Sequence, residues 1–546
     1  MPPTDANVED LHAMLAPDKT HVGLAKKFTL YTILVVAVIG ASIGLYYLAY
    51  RFEATASYYE PIDYPYYDTN TYRALTLSNG MKLLLVSNTK AQMATAALSV
   101  GVGSFADPTN LEGLANLCQH LANMGSSKYP GADTFASYLS NHSGIYEAYT
   151  DLEKSVFSFQ VGISGLEQSL DMLANMFVEP VFTEADIGNA SSLITKELTK
   201  TYDNTQTRLH YVLQLLASSD HPYSRFSSGN NDTLVTNPST LGLDVLTEAQ
   251  AFFETYYSSN IMYGVVVSND TLDTLENWTK TYFEVIPDRG AETLSYSNYT
   301  NPFTTNKRTY TQFDPAQGEN YLYLVFYTIS LDKYYPEKPF EYLRSHIEER
   351  GQSSLYEYLK NNSYVTDIKM TVETNATFGS IVQVRFSLTQ TGLDYIDEIP
   401  KAFFAYINLI SEDGISQDIW DDIAEEAELS YNYTERGYDL ELRYAQRLVT
   451  NLAKYGEKEV LTGEYLFSNY DSNLLKTFIG SFSIDNCLIL ICSPQFSVST
   501  NLTVVSTETS TVTLFQMTPN KLMKGRSTSS SLFKSHHQDN GNTPRI

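Results

Sequence analysis

Apolar positions recur along this chain with two alternating periods, one near 3.6 residues and one of 2. Between Gly113 and Ser126 (GLANLCQHLANMGS), Leu114, Leu117, Cys118 and Leu121 fall at helical spacing, which turns one stripe toward a core. Asn116, Gln119, His120 and Asn123 fall at i, i+3, i+4 and i+7 on a second, polar face. Upstream, Met81–Val86 reads as a strand, and Leu98, Val100 and Val102 alternate in another. Downstream, Phe157, Phe159 and Val161 alternate, and Leu166–Phe177 is an amphipathic helix. A long helical stretch covers Glu184–Ser218, and Met262–Val267 is a further strand. Strands and helices intermixed over about 220 residues predict an α+β fold.

The pattern lapses between Ile286 and Glu319, where Asp-Arg-Gly, Asn-Pro and many Ser, Thr and Asn residues mark a linker. A second unit opens with a strand at Tyr321–Tyr327 and continues with helices near Pro339–Lys360. It adds a strand at Ile381–Leu388, helices at Leu393–Glu412 and Asp418–Glu435, and a closing strand at Cys487–Cys492. The similar element order predicts a duplication: a first module over 72–287, a linker over 288–319 and a second module over 320–515. Each module is expected to be a mostly antiparallel sheet packed by helices. The Ser-rich segment 516–546 is expected to be a disordered tail.

Ahead of the first module, Phe28–Tyr50 gives 23 residues without a charge, about 35 Å as a helix and enough to span a bilayer. Lys19, Lys26 and Lys27 precede it, and only Arg51 follows within the Tyr-rich tether 51–71. That asymmetry predicts a single-pass signal anchor, with segment 1–27 in the cytosol and the rest luminal or extracellular. Two alternatives stand beside it: a buried core helix, and a signal peptide cleaved near Ala54-Thr55-Ala56. Ten N-x-S/T sequons, at Asn141, Asn189, Asn231, Asn269, Asn277, Asn298, Asn361, Asn375, Asn432 and Asn501, all follow the span, as in a glycosylated ectodomain.

A net charge of −27 argues against nucleic acid and anionic membrane surfaces as partners. Three cysteines do not make a disulfide framework. Cys118 lies on the apolar stripe, while Cys487 and Cys492, five apart in a strand, point to opposite faces and cannot pair locally.

The Asn116-x-x-Gln119-His120 pattern resembles the inverted zinc motif His-x-x-Glu-His of the insulinase (pitrilysin-like) metallopeptidases. The flanks GSFADPTNLEGLA and MGSSKYP carry the same likeness, as does HPYSRFSSGNNDTL (His221–Leu234). YLRSHIEERGQSSLYEYLK and LTGEYLFSNY resemble segments of the insulin-degrading branch, so the resemblance runs from about Tyr72 to Phe496. It implies two tandem insulinase-type modules and places Asn116 at the first zinc ligand, Gln119 at the general base and His120 at the second ligand. Through ITKELTK it places Glu197 at the third ligand and Ala190 where relatives carry a supporting acid.

Two of the chemical positions are therefore amides. A neutral amide oxygen is a poor zinc ligand, and Gln119 cannot take a proton near neutral pH. Zinc binding is expected to be weak or lost, and the chain is expected to be a pseudo-enzyme that binds peptides by edge-strand pairing. Long relatives close four modules around a chamber, so a second insulinase-type half or a second copy is the other expected partner. The rival reading is an active zinc peptidase in which His120, Glu197 and Asn116 hold metal and Glu147 or Glu153 acts as base. A purely structural ectodomain is a third. Without the resemblance, His120, Glu197, Asn116 and Gln119 read as ordinary helix residues, and His142 reads as a surface loop residue.

Overall fold

Val156 and Phe157 are consecutive in one strand and point to opposite faces of one sheet, yet both are fully buried. This describes the architecture of the first half of the protein, seen in a computed structural model that describes residues 57–58, 62–304, 309–313, 315–433, 441–495 and 513–516. The expected anchor Phe28–Tyr50 and segment 1–27 lie outside the described residues, as does 517–546. Among the described residues no helix is long and apolar enough to cross a membrane. The described residues from Tyr58 onward form a single compact unit.

A short strand β1 (Ser57–Tyr58) precedes β2 (Thr71–Thr76), β3 (Lys82–Ser87), β4 (Met93–Val100), β5 (Ile145–Thr150), β6 (Ser155–Gly162) and β7 (Met262–Ser268). From β2 onward the first sheet runs β2-β3-β7-β4-β6-β5. The second half contributes β8 (Thr309–Phe313), β9 (Tyr321–Thr328), β10 (Val365–Ala376), β11 (Gly379–Leu388), β12 (Cys487–Cys492) and β13 (Thr513–Gln516), in the order β10-β11-β9-β12-β8-β13.

Set side by side, β3-β7-β4-β6-β5 and β8-β12-β9-β11-β10 have the same order in chain terms. In each the first pair is parallel and the others are antiparallel. A further antiparallel strand flanks each parallel pair, β2 on β3 and β13 on β8.

Each half also sends a helix onto the sheet of the other. Helix Glu441–Tyr455, which the sequence leaves unassigned, covers the first sheet: Ala445, Leu448, Val449 and Leu452 pack against Leu84, Val86, Ala97, Val156 and Val265. On the opposite face, Phe157 meets Phe177 and Tyr257 with ring centroids 5.0 and 6.2 Å apart. Conversely, Leu209, Val212, Leu213 and Leu216 from the first half join Tyr323, Val325 and Leu490 of the second sheet in one buried cluster. Burying four such side chains contributes roughly 6–12 kcal/mol as an upper estimate, comparable with the stability of a whole domain. The halves are therefore expected to unfold together.

Several sequence expectations need correction. The helical stretch Glu184–Ser218 is two helices, Glu184–Thr201 and Thr205–Leu216, because Asn204 caps the second by accepting from the Gln206 and Thr207 amides at 2.8 and 3.2 Å. Strand β8 lies inside the expected linker 288–319, where it pairs in parallel with β12. Strand β10 and the helix Ser472–Gly480 were not anticipated. Cys118, Cys487 and Cys492 are all buried, Cys118 on the apolar stripe where the sequence places it.

Candidate active site

Helix α1 (Leu114–Ala122) buries Leu114, Leu117, Cys118 and Leu121, the stripe read from the sequence. Its N-cap, Gly113, is left-handed at φ 91°, and a Cβ there would come within 2.4 Å of the Gly229 backbone. A glycine cannot cap with a side chain. Asp107 does so instead, accepting from the Gly113 and Ala115 amides at 2.8 and 2.7 Å. Burial pushes the Asp107 carboxyl up to about 8, against the downward pull of those two N–H groups.

The segment His221–Leu234 grips the same helix start. Arg225 donates to the carbonyls of Phe105 and Asp107, both at 2.7 Å, and Glu112 accepts from the Phe226 amide at 3.2 Å. Asn116 Nδ2 donates to the Ser228 carbonyl at 2.9 Å, and the Ser228 hydroxyl bonds the Tyr211 hydroxyl at 2.6 Å. The first-ligand position thus holds a loop. Asp107, Tyr211 and Ser228 went unnoticed in the sequence, although an acidic residue shortly before a glycine-led helix is a capping signal.

Helix α2 (Glu184–Thr201) carries Glu197 toward α1. His120 Nε2 lies 3.4 Å from Glu197 Oε2, with the histidine side chain 13% and the glutamate 60% exposed. The hydrogen bond from His120 holds the Glu197 carboxyl below its ordinary range, outweighing desolvation. Ala190 is buried on the same helix. Gln119, placed by spacing on the polar face, is only 4% exposed: it turns inward from α1.

The two rival bases separate. Glu147 sits exposed on β5, where Gln446 Nε2 donates to it at 3.2 Å. Glu153 is taken by the second half, accepting from the Thr377 amide at 3.1 Å, and burial raises its carboxyl. His142 bonds the Tyr138 carbonyl through Nδ1 at 2.9 Å and lies against the Tyr138 ring, as a structural histidine does.

Zinc in such a motif needs three protein donors drawn from imidazole, thiolate and carboxylate. Here His120 and Glu197 converge, while the third position is an amide engaged with backbone. Among the described residues no group of three or more His, Cys, Asp or Glu side chains is placed to hold a metal ion. This donor set does not fit the zinc site that the motif implies.

Three family models match the chain in succession: insulinase (peptidase family M16) over 82–226, the peptidase M16 inactive domain over 245–426, and the middle or third domain of peptidase M16 over 431–532. The chain is 29% identical over 436 residues to the insulin-degrading enzyme of Drosophila melanogaster, covering 80% of this chain and 44% of that protein. It is 29% identical over 394 residues to nardilysin of Rattus norvegicus, covering 71% of this chain and 34% of the relative. The chain therefore spans less than half the length of these curated relatives. The crystal structure of pitrilysin superimposes with a TM-score of 0.82 at 26% identity, over 87% of this chain and 50% of that one. Together with the mixed α+β fold, these matches make the chain an insulinase-like member of peptidase family M16.

Proposed function

We propose that this protein is a catalytically inactive insulinase-family homologue that holds peptides, or a second insulinase-type half, without cutting them. The bond from Asn116 to Ser228 carries the reading, because it turns a ligand position into part of the scaffold. Gln119 adds a second deficit, since an amide cannot take a proton from an attacking water near neutral pH. Peptide binding needs neither group. Among the described residues, strand β5 pairs only with β6, and no strand lies on its other edge, beside α1. Ile145 and Tyr149 on β5 are 52% and 39% exposed, and an extended peptide added there gains main-chain hydrogen bonds.

The proposal includes a single-pass anchor at Phe28–Tyr50, a cytosolic N-terminus and a glycosylated luminal or extracellular body. The charge asymmetry supports it, and so does the exposure of the sequon asparagines. Asn141, Asn189, Asn231, Asn269, Asn277, Asn298, Asn361 and Asn375 are all exposed, and Asn432 is partly so.

A second reading, an active zinc endopeptidase with an unorthodox site, is favoured by the convergence of His120 and Glu197 at 3.4 Å, with Glu147 or Glu153 as its base. Zinc content of the purified protein separates the two. Well under one zinc per chain is expected, and stoichiometric zinc would favour the second reading.

A further inference from the structure

Lys369 on β10 and Arg385 on β11 stand directly opposite one another in the antiparallel register. Two cations so placed on one sheet face repel each other. Neither forms an ion pair with any described residue, although acidic residues outnumber basic ones by 63 to 36. Both line a cavity of about 640 Å³ between the second sheet and the helix Thr205–Leu216, within the rough 300–1,000 Å³ range of small-molecule sites.

The lining polar groups are unevenly satisfied. Glu373 is held by His210 Nδ1 at 3.0 Å and by Gln206, so the acidic group in the cavity already has its donors. Arg385 stacks over the Tyr321 ring at 5.0 Å, and its Nε is buried without a hydrogen-bond partner. Gln383, the next residue inward on that face, is only 4% exposed. Its Nε2 donates to Thr371 at 2.9 Å, while its Oε1 is buried and unpartnered. The cavity therefore presents two unpaired cations, one orphan donor and one orphan acceptor.

We propose that this cavity binds a carboxylate that has an amide N–H beside it. The Arg385 guanidinium offers planar donors matched to a carboxylate, Lys369 adds a point charge, and Gln383 Oε1 accepts the neighbouring N–H. A peptide supplies both groups within one residue, either at its C-terminus or at an Asp or Glu side chain. Only this choice of source rests on the peptide-binding reading.

Calorimetry on the full-length protein at low salt tests the assignment with three probes: N-acetylglycylglycine, its C-terminal amide, and N-acetylglutamic acid α-amide. At least one carboxylate probe should bind at least tenfold more tightly than the neutral amide, and which one binds identifies the source. Lys369→Gln and Arg385→Gln should each weaken that probe at least tenfold, while Lys401→Gln, which breaks a remote pair with Glu398, should not. Lys369 is exposed and its replacement relieves repulsion, so this variant should keep its urea midpoint. Equal binding of all three probes, no binding of either carboxylate, or undiminished binding to folded Lys369→Gln would overturn the proposal. Binding of the small probes without binding of longer peptides would instead defeat the peptide-binding reading and leave the cavity assignment standing.

Discussion

The side-chain amide of Asn116 and the carbonyl of Ser228 share a 2.9 Å hydrogen bond across the start of helix α1. Asn116→Ala leaves a half-buried carbonyl without its donor and should destabilise the protein by about 1 kcal/mol. Urea denaturation reads this directly. An unchanged midpoint would mean that the bond is replaced by water and that the position is not structural.

Restoring the family pattern should restore metal binding before activity. Asn116→His with Gln119→Glu brings an imidazole toward His120 and Glu197, and about one zinc per chain is expected after dialysis against a zinc buffer. The imidazole must displace the Ser228 contact, so the double variant should be less stable without zinc than with it. A zinc content no higher than that of the parent would count against Glu197 as the third ligand.

The stripe Leu114, Leu117, Cys118 and Leu121 was legible because all four residues are apolar and buried and the period is local. The strands were legible from alternating apolar residues, but their burial on both faces was not. Leu98, Val100 and Val102 alternate in the sequence, but every β4 residue after Met93 is buried, because the distant helix Glu441–Tyr455 covers the second face. No local pattern reveals that pairing. In β10, Ile368 and Met370 point inward between Lys369 and Thr371, a real alternation masked by the polar composition of Val365–Ala376. The meeting of His120 with Glu197 was foreseen only through the family resemblance. The diversion of Asn116 to Ser228 depends on a loop more than a hundred residues away, and no spacing rule encodes it.

Acid should weaken the junction between the halves. His221 is buried against Phe378 and Tyr299, accepts from the Tyr223 amide at 3.0 Å, and has its pKa lowered from 6.5 to about 4 by desolvation. A histidine held neutral in the fold contributes its full stability above pH 6.5, and that contribution is lost progressively as pH falls from 6.5 toward 4. At pH 5.5 the loss should be about 1 kcal/mol after discounting for screening. Comparing urea midpoints at pH 7.5 and 5.5, His221→Gln should show a smaller drop than the wild type. An equal drop would place the acid sensitivity elsewhere.

Topology makes a separate prediction, from Lys19, Lys26 and Lys27 ahead of Phe28–Tyr50 and the sequons confined to its downstream side. The protein from its native membrane should lose mass on treatment with an N-glycosidase. A tag at its N-terminus should resist protease added to intact cells or vesicles. A protease-sensitive tag on an unglycosylated body would reverse the orientation.

Catalytic silence is the central claim, and a cleavage assay tests it most directly. The full-length protein, supplied with zinc, is incubated with a mixed peptide library beside the Glu197→Ala variant. Asn116 withholds an imidazole and Gln119 withholds a base, so two successive requirements of metal-assisted hydrolysis are unmet. The expected result is an intact library in both samples. Chelator-sensitive cleavage by the wild type that Glu197→Ala abolishes would contradict the claim and make His120 and Glu197 the core of a working site.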